Sequence, residues 1–250
     1  MRGPVRTALF LATLVAIWAT ASSFADATLF PGPGDVARAL WANARVGMLH
    51  RAVLKSLGRL VVGYGISLVV GVTLGIALAR VKAVKETLGV VVLGLQALPS
   101  VCWLPLALLW FGLGEAAIQT VVVLGSLLSI AVATEGAVNT IPAVMLRAAR
   151  TMGAEGWTLW RRVILPAALP GVLSGARLGW TFAWRSLLAG ELLFVSGGIG
   201  QVLEFGRELH DMALVLGVML VIVALGMASD RLLFGVAEAR VRRAWGLDRA

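Results

Sequence analysis

The sequence predicts an all-α, polytopic membrane protein with about six transmembrane helices. Three observations carry this. Hydrophobic residues make up 59% of the 250-residue chain and charged residues only 14%, against about 25% charged in a soluble domain. Apolar runs close to the ~20 residues that cross the hydrocarbon recur along the whole length. Nothing alternates as barrel strands do, so inside lipid the backbone has to satisfy itself in helices.

The first apolar run, about residues 7–25, follows Arg2 and Arg6. Ser23-Phe24-Ala25 at its end also reads as a cleavage site, so a signal peptide is the alternative. A retained span is favoured, because the rest of the chain gives it helices to pack against. Leu29-Phe30-Pro31-Gly32-Pro33-Gly34 forms a turn, followed by a short helix-like run to Leu49.

The second span, about 56–79, carries Gly63, Ser67, Gly71 and Gly75 at four-residue spacing. Small residues on one helix face let another helix approach closely; the alternative is a glycine stripe facing lipid. The third span, about 88–111, contains Gln96, Pro99, Ser100, Trp103 and Pro105. Its two prolines remove donors and should bend or interrupt it. Backbone freed at membrane depth is tolerated in protein or beside water, so this span is expected to line a path, a kinked structural helix being the plainer alternative. Cys102, the single cysteine, reads as a small buried hydrophobe.

The fourth span, about 116–138, holds Glu135 near its inner end, expected to be interfacial or paired. The fifth, about 168–195, holds Arg177, and Trp184, Arg185 and Glu191 as further candidates to line the path. Charged residues at such depth are costly and usually mark function. Arg177 is expected to snorkel to the inner surface, whereas Arg185 sits deeper and is the better group to meet an anion. Ser196-Gly197-Gly198-Ile199-Gly200 closes this span, and an amphipathic piece with His210 and Asp211 follows. His210 has no ligand spacing around it and reads as solvated or packed. The sixth span covers about 212–234.

Lys and Arg set the orientation. Arg80, Lys82, Lys85, Arg147, Arg150, Arg161 and Arg162 fall on one side with Arg2 and Arg6. The tail adds Arg231, Arg240, Arg242, Arg243 and Arg249. The other side has Arg38, Arg45, Arg51 and Arg207, with Lys55 and Arg59 near a span end. The richer side is expected to be cytoplasmic, with both termini inside. The net charge of +9 is therefore topological, and nucleic-acid binding is set aside.

Between the fourth and fifth spans, about 139–167, the chain turns polar. Asn139, Thr140 and Pro142 signal a helix start. Met145, Ala148, Ala149 and Met152 then share one apolar face, and Gly153 stops the helix. A second short helix is expected, with Trp157, Trp160 and Ile164 on a common face and Pro166 and Pro170 closing it. This is either a rigid knob for docking a second protein or a helix pair resting on headgroups.

Here the sequence resembles a known family. Inner-membrane permeases of binding-protein-dependent ABC importers carry a loop written E-A-A, three residues, G, nine residues, I-x-L-P. Ala148, Ala149, Gly153, Val163, Leu165 and Pro166 stand at those spacings, with Arg147 in place of the Glu and Val163 in place of the Ile. The resemblance extends from about Leu29. Leu29 to Pro33, Trp103-Leu104-Pro105-Leu106, Leu109 to Glu115 and Ala189-Gly190-Glu191-Leu192-Leu193 are similar to segments of the nitrate/sulfonate/taurine type. It implies one transmembrane permease domain over residues 1–250, with a core at about 54–234 and the type I importer fold of the molybdate and methionine transporter cores. It implies two permease subunits, as a homodimer when one permease gene serves the system. Two ATPase subunits, which hold the ATP and Mg, bind the loops, and a periplasmic or lipid-anchored protein delivers a sulfonate, taurine, nitrate or bicarbonate. The coupling residues implied are Arg147, Ala148, Ala149, Met152, Gly153, Val163, Leu165 and Pro166. No cofactor is expected on this chain, which has no G-x-x-x-x-G-K-[ST] stretch.

Two other classes compete. An ion-coupled secondary transporter would need intramembrane charges and probable inverted repeats, and no duplicated half is visible. A membrane protease would need a nucleophile motif, and no G-x-S-x-G is present.

Overall fold

The computed structural model describes residues 2–26, 28–193 and 196–244; Arg249 and the residues 194–195 of the expected fifth span lie outside them. The elements are α1 (Arg2–Phe24), α2 (Pro33–Arg45), α3 (Met48–Arg80), α4 (Lys82–Gln96), a 3-10 turn (Ser100–Cys102), α5 (Trp103–Phe111), α6 (Glu115–Asn139), α7 (Ala143–Thr151), α8 (Gly156–Leu159), a π-turn (Trp160–Ile164), α9 (Leu165–Glu191), α10 (Ile199–Glu208), α11 (Met212–Ser229), a second π-turn (Asp230–Gly235) and α12 (Val236–Ala244). Among the described residues five helical stretches are long and apolar enough to cross a membrane, or six if the bent pair 82–96 and 100–111 is one span.

The helices divide into two compact units. The first takes Met1–Leu57 and Glu191–Leu225. Apart from Trp18 and Ser22, the described side chains of α1 are exposed. Trp18 Nε1 donates to the Pro31 carbonyl at 3.1 Å, tying α1 to the turn before α2. Pro33 opens α2, where a missing N–H costs nothing. The Asp35 carboxylate accepts the Gly32 N–H at 3.1 Å, the reciprocal half of a capping box. The helix-like run expected to Leu49 is split, because Gly47 takes a positive φ of 76° and α3 restarts at Met48. The core is Ala52, Ile199, Val202, Leu214 and Val218. Asp211 caps α11 by accepting the Leu214 N–H at 2.9 Å.

The second unit takes Gly58–Gly190 and Gly226–Ala250. Its spine is the seam between α3 and α6. A Cβ on Gly63 would stand 2.6 Å from Val122, one on Gly71 2.9 Å from the Leu127 carbonyl, and one on Gly75 2.4 Å from the Ala131 carbonyl. Ser67 sits in the same row, donates to the Gly63 carbonyl at 2.8 Å and accepts from Ser126 Oγ at 2.8 Å. The glycines of α3 thus serve close approach, and a serine pair supplies a polar contact between the helices. At the start of α6, the Glu115 carboxylate takes a fork from buried Arg59, with Nε to Oε2 at 2.6 Å. At the other end, Lys85 pairs with Glu135 at 3.0 Å.

The third span is interrupted, as its prolines lead one to expect: α4 and the 100–111 stretch meet at 100°. Only Pro99 causes this break, sitting in extended backbone (φ −54°, ψ 138°), where a proline also pushes the preceding residue out of the helix. Pro105 lies in the first turn of α5, where its missing donor is harmless. Against expectation, Pro166 and Pro170 do not close a helix, since 156–191 runs on as one stretch. The wide π-turn at 160–164, with the Leu165 N–H reaching back to the Trp160 carbonyl, absorbs the donor lost nearby. That turn also shifts the register. Trp157 is 75% exposed, while Leu159, Ile164 and Ala168 take the packed face. Arg177 is exposed, and its Nη2 lies 2.6 Å from Asp230 and its Nη1 3.2 Å from Glu238, so acids of the C-terminal stretch take up its charge.

Candidate functional site

Two places in the second unit assemble the residues singled out from sequence. The first is a cavity of about 390 Å³ at the break in the third span. Gln96, Pro99, Ser100 and Trp103 line it, with Arg185 from α9 and Ser129 from α6. The break makes the room, because the 100° bend carries the chain away where a straight helix would fill the space. Arg185 is exposed, its guanidinium lies 5.9 Å from the Phe182 ring, and no acidic partner meets it among the described residues. Gly125 holds the floor: a Cβ there would stand 2.1 Å from Ser186 Oγ and 2.9 Å from Ser100 Cβ. Sequence reasoning passed over Gly125 and Ser129, although four-residue spacing of small residues was the signal it used in α3.

Two residues expected on a path do not reach this cavity. Trp184 is buried beside Arg185 in sequence, and its Nε1 has no hydrogen-bond partner among the described residues. Glu191 belongs to the first unit and is 0% exposed. Its two carboxylate oxygens accept from Ser56 Oγ at 2.7 Å, and Oε2 also accepts the Gly200 N–H at 3.0 Å. Gly198 is required alongside, since a Cβ there would meet Oε1 at 2.1 Å. Glu191 therefore ties Ser56 to the start of α10 rather than lining open space.

The second place is the knob at 139–167. Pro142 stands at the N-terminal boundary of α7, and the helix ends in a Schellman motif. The Ala154 N–H reaches the Ala149 carbonyl at 3.0 Å and the Gly153 N–H the Arg150 carbonyl at 2.9 Å. This needs a positive φ, and Gly153 supplies 81°. Leu146, Ala149, Ala154, Trp160 and Val163 pack on Val138, Leu159, Ile164 and Ala168. From the C-terminal end of α3, Arg80 lies over the Trp160 ring at 4.4 Å, a cation–π contact that holds the base of the knob.

Of the motif residues, Ala149, Val163 and Pro166 are partly buried, whereas Arg147, Ala148, Met152, Gly153 and Leu165 are exposed. The predicted apolar face is split accordingly. Ala149 turns inward, while Met145, Ala148 and Met152 (87% exposed) turn out with Val144. The knob thus ends on a glycine and leaves large apolar side chains bare.

Comparison with known proteins agrees with this geometry. Residues 71–243, more than half of the chain, match the family described as binding-protein-dependent transport system inner membrane component. The chain is 30% identical over 189 residues to the riboflavin transport system permease protein RibX of Chloroflexus aurantiacus, covering 76% of this chain and 70% of that one. It is 28% identical over 205 residues to the taurine transport system permease protein TauC of Escherichia coli, covering 79% and 74%. A solved inward-facing structure of the MetNI methionine ABC transporter shares the fold, with a TM-score of 0.66, 24% identity, and coverage of 79% of this chain and 95% of that one. This family does not favour the secondary-transporter reading. The chain belongs to the binding-protein-dependent transport system inner membrane components: it is a multi-pass permease subunit of an ABC importer, a transport component that works with an ATPase and a solute-binding protein.

Proposed function

We propose that this permease passes a small acid-bearing solute along Arg185 and is moved by a separate ATPase seated on the knob at 139–167. The observation that carries the solute reading is a guanidinium without an acidic partner among the described residues, lining a cavity with Gln96, Ser100 and Trp103. A cation that lines a cavity without an acidic partner favours an anion that supplies one. The taurine permease among the relatives supports a sulfonate or similar oxyanion, while the riboflavin permease marks the neutral solute this reading has to beat.

In this reading two copies of the chain pair as a homodimer, both termini face the cytoplasm, and two ATPase subunits hold ATP and Mg on the inner side. A periplasmic or lipid-anchored binding protein delivers the solute from outside. Closure of the ATPase pair draws the knobs together. Because α8, the π-turn and α9 are one continuous stretch, displacement of the knob is transmitted to the helix that carries Arg185.

The test is uptake and ATP hydrolysis by the reconstituted complex with loaded binding protein. Arg185→Ala should leave the complex assembled and lower uptake by about tenfold or more, the worth of one charge-assisted contact. Unchanged uptake kinetics would remove Arg185 from the path. Gly153→Pro, which forbids the positive φ, and Ala149→Asp, which puts a carboxylate into the packed face, should both leave hydrolysis unstimulated. Normal transport by either variant in an intact complex would show that the knob is not the coupling element.

A further inference from the structure

We propose that the ATPase groove receiving the knob is nonpolar and carries carboxylates. This rests on the docking role of the knob and adds the chemistry of the partner. Between residues 139 and 167 the sequence has Arg147, Arg150, Arg161 and Arg162 against one acid, Glu155. All four guanidinium-bearing residues are exposed, and none has an acidic partner among the described residues. Beside them stand Val144, Met152 and Trp157, at 67%, 87% and 75% exposure. The knob thus offers exposed apolar side chains interspersed with arginines, and the complement of that is a nonpolar groove that carries carboxylates.

A lipid headgroup surface is the competing occupant, and the packing of α7 argues against it. A helix lying on lipid turns its apolar stripe to the bilayer and its charges to water. Here the side of α7 facing the helix ends is already filled by Leu146 and Ala149 against Val138, Ile164 and Ala168. Val144, Arg147, Ala148 and Thr151 lie on the opposite side by helical spacing and are all exposed. Apolar and cationic residues mixed on a face turned away from the bundle suit a protein groove.

The test uses the permease in nanodiscs of neutral phosphatidylcholine and measures binding of its ATPase at rising salt. Arg147→Glu with Arg150→Glu should weaken binding by about tenfold or more and remove the salt dependence. Lysine in place of the facing groove carboxylates of the ATPase should restore it. Unchanged binding by the reversed permease overturns the groove carboxylates. So does a loss that appears only when phosphatidylglycerol is added to the discs, which would assign the arginines to headgroups. Met152→Cys in a Cys102→Ser background tests the underlying docking separately. Cross-linking to the ATPase with charge-insensitive binding sinks this inference alone, whereas no cross-link sinks the docking role with it.

Discussion

The α3–α6 seam and the knob at 139–167 use the same residue types to opposite ends. In the seam, glycines at 63, 71 and 75 bring α3 within contact of Val122, Leu127 and Ala131, and the hydroxyls of Ser67 and Ser126 find partners. In the knob, Gly153 has nothing within 4 Å of where a Cβ would sit; its role is its φ of 81°. The apolar residues around it are left bare and its arginines have no acidic partner among the described residues. The seam spends its sequence on itself, whereas the knob leaves exposed apolar and cationic side chains unpaired within the described residues. A glycine or a methionine cannot be interpreted by type, only by what its neighbours leave for it.

That contrast gives an ordered set of expectations for the stability of the detergent-solubilised permease. The largest effect is expected at Gly75→Leu, because its Cβ meets a backbone carbonyl at 2.4 Å that cannot move alone. Overpacking there should cost about 3 kcal/mol or more, seen as a large fall in melting temperature or loss of folded protein. A wild-type melting curve would show that the seam is looser than described.

Gly153→Ala comes next. Space is open, so the cost is the backbone strain alone, about 1–2 kcal/mol, and limited proteolysis should place the loosening at residues 150–156. A change reaching the seam would break the contrast. Ser67→Ala loses the Ser126 contact across the seam, worth about 0.6 kcal/mol for an interhelical hydrogen bond in a membrane protein. A double-mutant cycle with Ser126→Ala should recover that coupling. Met152→Ala, on the bare knob, should shift stability by less than about 0.5 kcal/mol and yet weaken ATPase binding. Equal loss of both would mean that Met152 packs within this chain.

How much was legible beforehand differs between the two regions. The small-residue row in α3 was readable because helical spacing is local, and one stripe implies one neighbouring helix; that the neighbour is α6, with Ser126 opposite Ser67, was not. In the knob, the stop at Gly153 was readable and the continuation through Pro166 was not. A proline at a helix start looks like a boundary, and the π-turn that absorbs it is set by packing of Leu159 and Ile164 on Val138 and Ala168. The pairing of Arg177 was not legible for a related reason. Its acidic partners, Asp230 and Glu238, are more than fifty residues away.

The sequence by itself determined the membrane class, the helical architecture, the span positions and the loop spacing that identifies the permease family, since these depend on composition and on periods of a few residues. The tertiary structure alone decided which residues meet. It gathered Gln96, Ser100, Ser129 and Arg185 around one cavity at a 100° bend, withdrew Glu191 into a cage with Ser56 and Gly200, and turned Met152 outward while folding Ala149 in. The reason is physical: helix formation is settled by neighbours along the chain, whereas burial, pairing and open space depend on side chains brought together from distant segments.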